Sequence, residues 1–282
     1  MQRHGPLPTS VKAQVKALGF GPASRVFQFA AFTFDASLGD IFCALASGGT
    51  SCMPSDAERV DNLADIAKCL KVTQACLTPS VGRLMSPADV PTLKKMTLGG
   101  ESPSITDYEI WSEAGISLLQ VYGPTETAIW CFGVQPVQRD RMYPLRKFGV
   151  PLTPGLCSYW VVHPNDPERL SAVGAIGELL IGGPLLADGY LNDVEKTNAA
   201  FLPAPAWAKE QLRLYKTGDL VRLCEDGQLE YVSRIDTQVK LNGVRIELGE
   251  IEHQLRKKTF RRTCRLQQML CRPLVDRKRR SW

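Results

Sequence analysis

Histidine is scarce in this 282-residue chain, with three residues in all, at positions 4, 163 and 253. The nine cysteines are scattered singly, at 43, 52, 69, 76, 131, 157, 224, 264 and 271, with no CxxC pair. That spacing suggests neither a zinc site nor a disulfide framework, so the thiols are read as reduced and mostly buried. GxSxG is absent and the three histidines lie far apart in sequence, which leaves a serine-hydrolase triad without a signature. No apolar run approaches the ~20 residues that span a bilayer, and the opening MQRHGPLPTS lacks the apolar block of a secretory signal. The expected setting is the cytoplasm, with no membrane partner.

What is present is ample core material: 44% of residues are hydrophobic, enough for two ordinary domains. The net charge of +5 is not evenly spread, because residues 257–282 hold ten Lys and Arg against one acid, Asp276, so residues 1–256 carry −4. That basic tail shows little apolar periodicity and its charges repel one another, so disorder is expected there. It has no aromatic interleaving or reading module, which gives no basis for specific nucleic-acid binding.

Along residues 1–149, apolar and amphipathic segments alternate. RVFQFAAFTF (25–34) reads as a strand or buried segment, SDAERVDNLADIAKCL (55–70) as a helix opened by a Ser or Asp cap, and VTQACL (72–77) as a strand. TPSVGRLM (78–85) reads as a capped short helix, KKMTLGG (94–100) as a strand, SITDYEIWSEAG (104–115) as a helix stopped by Gly115, and SLLQVYG as the next strand. Strand and helix in turn imply an α/β fold with a helix-covered, mainly parallel sheet, whose ligands sit beyond the carboxyl ends of the strands. LGGES and YGPTE fall there. Residues 150–235 change to short β segments, with a hairpin turning at Asp226-Gly227, and read as a β-rich subdomain. QVKLNGVRIELGEIEHQL adds a strand, a turn at Asn242-Gly243 and the start of a helix, so residues 236–256 read as the beginning of a small α+β subdomain.

VYGPTETAIW (121–130) sets a rigid turn, two hydroxyls and a carboxylate between apolar flanks. One reading is structural: a strand ends, Pro124 fixes the turn and Thr125 caps a helix. The other is that Thr125 and Glu126 face a polyanion and its metal. LYKTGDLVR (214–222) places Asp219 after a Gly turn, and SRIDTQVKLNGVRIELGEIE (233–252) strings Arg234, Asp236, Lys240 and Arg245 between apolar positions. Asp35 in FTFDAS is a carboxylate in an apolar segment, costly to bury unless paired, or else an N-cap for a helix from Ala36.

In the order FTFDAS, LGGES, YGPTET, GELLIGGPLLADGYLND, YKTGDLVR and YVSRIDTQVKLNGVRIELGEIE, the chain resembles the adenylation domains of nonribosomal peptide synthetases, within the AMP-forming acyl and aryl ligase superfamily, over about residues 4–256. The resemblance implies a partial adenylate-forming fold that activates an α-amino acid with ATP as an aminoacyl-AMP. The acyl group then passes to a phosphopantetheine thiol on a peptidyl carrier domain, among other synthetase modules. It implies catalytic roles for Thr125, Glu126 and Arg234, with Glu126 holding Mg²⁺. Gly100, Glu101, Ser102, Tyr122 and Asp219 would hold the nucleotide, with Ser102 equally able to cap the following helix, and Asp236 would be the hinge.

Asp35 would bind the α-ammonium, pointing to an amino acid rather than a fatty or aryl acid. Ala36, Gly39, Cys76, Thr97, Gly99, Val121, Ile129 and Trp130 would line the side-chain pocket, whose uncharged lining suits a mid-sized or large apolar side chain. The family has Arg where this chain has Asn242. It also carries a Ser/Thr/Gly-rich phosphate loop ending in Lys-Gly before the matched part, and a lysine beyond it that touches the substrate carboxylate and the phosphate. Neither stands in these residues, so the expectation is a partial domain, truncated at both ends, with impaired adenylation. The alternatives are a noncatalytic interaction protein and a fatty or aryl acid ligase.

Overall fold

The computed structural model describes residues 1–134, 147–152, 154–208, 213–236, 238–241 and 244–247. Helix α1 (Pro6–Leu18) starts with proline in its first turn and ends at Gly19, which adopts φ 65° where a Cβ would be strained. Five strands then alternate with helices: β1 (Arg25–Phe27), α2 (Ala36–Ala46), β2 (Thr50–Cys52), α3 (Asp56–Asp61), α4 (Leu63–Cys69), β3 (Gln74–Leu77), α5 (Pro79–Gly82), β4 (Lys95–Leu98), α6 (Ile105–Glu113) and β5 (Ser117–Tyr122). They pair in parallel in the order β2-β1-β3-β4-β5. One apolar core, including Phe27, Met96, Leu98, Leu118 and Trp111, packs this layer. Helix starts follow local chemistry. Ser55 with Glu58 and Ser104 with Asp107 form capping boxes, and the Thr78 hydroxyl accepts from the Val81 amide.

Beyond β5 the pairing becomes antiparallel through β6 (Phe132–Val134) and β7 (Lys147–Pro151). The remaining strands are β8 (Ser158–His163), β9 (Asp166–Leu170), β10 (Ile176–Gly182), β11 (Phe201–Pro203), β12 (Arg213–Leu223) and β13 (Leu229–Arg234), with α7 (Val194–Ala200) before β11. They continue the sheet in the order β7-β13-β12-β10-β8-β9, with β11 on β12. A second core of Phe132, Phe148, Leu179, Ile181, Val221 and Leu229 fills this half. The β12–β13 hairpin turns at Gly227, φ 76°, as its Asp-Gly pair predicts. Strands β14 (Gln238–Leu241) and β15 (Val244–Glu247) form a separate hairpin. The turn expected at Asn242-Gly243, the helix after it and the basic tail lie outside the described residues.

Three local expectations are corrected. Residues 25–34 are a three-residue strand followed by turns, and Phe32 is 65% exposed, because the β1 pairing ends at Phe27. Residues 55–70 are two helices broken at Asn62, whose φ of −140° leaves the helical region. Helix α6 is capped by Ser104, not Ser102. Among the described residues all seven cysteines are free; Cys43, Cys52, Cys131 and Cys157 are buried and Cys69 is exposed. No described helix is long and apolar enough to cross a membrane.

Candidate active site

The site is built on the turn that leaves β5. A Cβ on Gly123 would lie 1.9 Å from the Ile129 carbonyl oxygen and 2.7 Å from Trp130 Cα, so only glycine lets the two ends of the loop meet. Pro124 directs the chain into one 3₁₀ turn, Thr125–Thr127, closed by Thr127 donating its amide and its hydroxyl to the Pro124 carbonyl, both at 2.9 Å. Ala128 and Ile129 then take φ 61° and 81°. A β-branched residue in the left-handed region stores about 1–3 kcal/mol and persists only when its surroundings force it.

Helix α1 supplies that force. Ser10 Oγ donates to the Ala128 carbonyl at 2.7 Å, and Gln14 Nε2 donates to the Trp130 carbonyl at 3.1 Å; both side chains are fully buried. The described residues after the turn lead into β6 and form no α-helix, so the reading of Thr125 as a helix cap is corrected: Pro124 holds that position and Thr125 is exposed. Glu126, in contrast, is buried, and its Oε1 accepts from the Tyr190 hydroxyl at 2.6 Å.

Asp35 occupies the cap position of α2 yet makes no capping bond, which corrects the N-cap reading. Its Oδ2 is buried without a hydrogen-bond partner among the described residues. Burial pushes the Asp35 carboxyl above the ordinary aspartate range, opposed by the Thr125 hydroxyl and reinforced by the charge of Glu126. Asp35, Thr125 and Glu126 therefore form one cluster.

A second cluster gathers where the middle of β12 meets the end of β13. The Tyr122 hydroxyl donates to Asp219 Oδ2 at 2.5 Å, and Arg234 Nη1 donates to Asp219 Oδ1 at 2.9 Å. The other edge of the same guanidinium donates to both Asp236 oxygens, Nε at 2.7 Å and Nη2 at 2.6 Å. Register explains the Arg234–Asp219 contact, since the two are cross-strand partners. Tyr122 stacks on Phe148 at 4.3 Å, and burial, with the Asp219 charge beside it, pushes its phenol well above the usual range. The turn expected before Asp219 is corrected: β12 runs through Gly218, at φ 70°, whose amide donates to Glu178 on β10 at 3.2 Å, and burial raises the Glu178 carboxyl.

The residues expected to line a side-chain pocket also converge. Ala36, Cys76, Val121, Ile129 and Trp130 share one apolar cluster. A Cβ on Gly39 would meet the Trp130 ring at 2.9 Å, and one on Gly99 would meet Val121 Cγ2 at 3.1 Å. Thr97 is buried opposite Cys76 in the β3–β4 register. Behind Cys76 and Thr97, the fully buried Asp40 lines a small cavity with Leu18, Val26 and Lys95. Asp40 receives the Ala30 amide at 3.3 Å, and burial holds its carboxyl well above the aspartate range. Gly100, at φ 82°, turns the chain after β4, and the Glu101 carboxylate accepts from the Ser80 hydroxyl at 2.6 Å, so its side chain is engaged with α5.

The family model described as "AMP-binding enzyme" matches residues 1–191. The chain belongs to that family. It is 46% identical over 261 residues to a nonribosomal peptide synthetase of Pyrenophora dematioidea, spanning 90% of this chain and 19% of the relative. It is 41% identical over 268 residues to the nonribosomal peptide synthetase atnA of Emericella nidulans, spanning 92% of this chain and 4% of that protein. Among solved structures, the Vibrio cholerae adenylation domain AlmE in complex with glycyl-adenosine-5'-phosphate superposes with a TM-score of 0.79 at 26% identity, covering 91% of this chain and 49% of that one. PA1221, a synthetase protein with adenylation and PCP domains, superposes with a TM-score of 0.72 at 28% identity, covering 86% of this chain and 43% of that one.

These adenylation-domain relatives and the helix-covered sheet agree on the fold. Three side chains at the site escaped the sequence reading. Ser10 and Gln14 look like ordinary helix polar residues until their burial is known. Tyr190 lies within a motif used for the resemblance, but nothing local marks it as a partner of Glu126.

Proposed function

We propose that this chain is an amino-acid-activating segment of a nonribosomal peptide synthetase, using ATP to convert an α-amino acid to its aminoacyl adenylate. The carboxylate oxygen of the amino acid attacks the α-phosphorus, the bond from that phosphorus to the bridging oxygen breaks, and pyrophosphate leaves. No protein nucleophile is needed, so rate comes from positioning and charge stabilisation. The adenylate is then consumed by a phosphopantetheine thiol on a carrier domain, which displaces AMP; the solved relative carrying a PCP domain supports that partnership.

The observation that carries this reading is the Asp35 carboxylate, buried with one oxygen unpartnered, beside an apolar cluster. A buried carboxylate with one oxygen left without a donor is complementary to a cation, and the α-ammonium of an amino acid is one. A fatty or aryl acid offers none. In this reading Thr125 donates its hydroxyl to the α-phosphate, and Arg234 approaches the ribose and phosphate. Tyr122, with Gly100, Glu101 and Ser102, receives the adenine, Asp219 accepts from the ribose diol, and Asp236 serves as the hinge.

A single carboxylate fits Mg²⁺, which takes one or two carboxylates and completes its shell with phosphate oxygens and water. Glu126 would hold that ion, and the chemistry it supplies is neutralisation of phosphate charge. Ala36, Gly39, Cys76, Thr97, Gly99, Val121, Ile129 and Trp130 shape the side-chain pocket, where Trp130 limits the space above Gly39.

The test is pyrophosphate exchange across the standard amino acids, with Asp35→Ala alongside. A signal that depends on one amino acid and disappears in the variant is expected. Exchange stimulated equally by acids lacking an amino group would overturn the reading.

A further inference from the structure

Tyr190 lies in the glycine-rich stretch after β10, outside every role assigned above. Its hydroxyl donates to Glu126 Oε1 at 2.6 Å, while the Ala187 amide, from the same loop, donates to the Glu126 carbonyl oxygen at 2.8 Å. One loop therefore grips this acid at both its side chain and its backbone. Glu126 is only 8% exposed, so the tyrosine contact is made where water competes little.

The loop is itself anchored on three sides. The Tyr190 amide donates to Thr197 Oγ1 in α7 at 2.9 Å, and Lys196 Nζ sits 4.8 Å over the tyrosine ring. Arg213 on β12 donates to the carbonyls of Ala187 and Asp188 and lies 4.6 Å over the Phe201 ring. The Met1 carbonyl receives the Asp188 amide at 2.9 Å. A phenol held this firmly leaves the carboxylate one orientation, because rotating the carboxyl plane would break the bond to Oε1.

We propose that Tyr190 is a positioning residue for Glu126: by occupying Oε1 it fixes the orientation in which that carboxylate receives a divalent cation. This rests on the assignment of Glu126 to Mg²⁺ proposed above. Partners that orient a metal's ligand are worth about 10- to 100-fold in metal affinity.

The experiment titrates Mn²⁺, a paramagnetic substitute for Mg²⁺, into this chain with ATP, following the free ion by electron paramagnetic resonance. Calorimetry of ATP binding in EDTA serves as the metal-free reference. Tyr190→Phe removes one hydroxyl, and all variants are compared at a temperature where circular dichroism shows them folded. The expected result is a half-saturating Mn²⁺ concentration about 10- to 100-fold higher, with ATP binding in EDTA unchanged. Glu126→Gln is run in parallel and is expected to raise it at least as far. A rise in Glu126→Gln with none in Tyr190→Phe overturns the role of Tyr190 and leaves the metal assignment standing. No change in Glu126→Gln removes that assignment, and the inference with it. If Tyr190→Phe weakens ATP binding equally in EDTA, the tyrosine only shapes the loop and the proposal fails.

Discussion

The Tyr122 hydroxyl donates to Asp219 Oδ2 at 2.5 Å, tying the end of the parallel layer to the antiparallel half across 97 residues of sequence. Asp219 is thereby held from two sides, since Arg234 takes its other oxygen. Both members of the Asp219–Arg234 pair are buried, their side chains 5% and 8% exposed.

Removing one partner of such a pair leaves an uncompensated charge. Arg234→Met is expected to cost about 3–5 kcal/mol in urea denaturation. Adding Asp219→Asn should recover part of the loss, with a coupling of about 1 kcal/mol or more. Strict additivity of the two would count against a direct pair.

Asp35 gives a pH dependence of defined sign. Its carboxyl titrates above the ordinary range because of burial, so as pH falls it is neutralised earlier than an exposed aspartate. Amino-acid-dependent binding should accordingly fade from a higher pH than an unshifted aspartate would give. Stability runs the other way. Between the unfolded and the raised folded pKa the folded state binds more protons at this residue, so its contribution to stability falls as pH rises. Asp35→Asn should therefore lift the thermal midpoint at neutral pH by about 2–4 °C while abolishing amino-acid dependence. A lower midpoint would show that the charge is already compensated.

Two glycines separate folding from specificity. Gly123→Ala drives a Cβ into backbone atoms and should cost about 3 kcal/mol or more, read as loss of soluble protein or a large drop in denaturation midpoint. Gly39→Ala meets only the Trp130 ring, at 2.9 Å. It should raise the KM for a large amino acid several-fold and leave that for ATP unchanged. Equal effects on both substrates would place Gly39 away from the pocket.

Gln14→Leu leaves the Trp130 carbonyl without its donor and loosens the hold on Ala128. A cost of about 1–3 kcal/mol is expected. Faster amide hydrogen exchange over residues 127–131 should accompany it. An unchanged exchange rate there would mean that the left-handed step at Ala128 and Ile129 does not depend on α1.

Much of the fold was legible in particular residues. Ser55 and Thr78 announced helix starts because a cap is a contact within a few residues, and Asp226-Gly227 announced a hairpin for the same reason. Strands β3, β4 and β5 were readable because burial on both faces favours apolar runs, whereas β2, Thr-Ser-Cys, carries none. RVFQFAAFTF misled, since apolar composition does not say where pairing ends, and Asn62 broke a helix that its periodicity would have continued.

The sequence by itself determined the local turns, the strand and helix alternation, and the ordered motifs that mark an AMP-binding chain. Only the tertiary structure decided which side chains meet. It decided that Asp35 keeps an unpartnered oxygen instead of capping α2, that Asp40 is buried beside Cys76 and Thr97, and that Arg234 grips Asp219 and Asp236 together. It also decided that Ser10 and Gln14 hold a strained turn more than a hundred residues away, and that Tyr190 reaches Glu126. The physical reason is that a cap or turn is a short-range contact written into neighbouring residues. A buried polar partner is chosen by how distant strands and loops pack, and no local pattern encodes that.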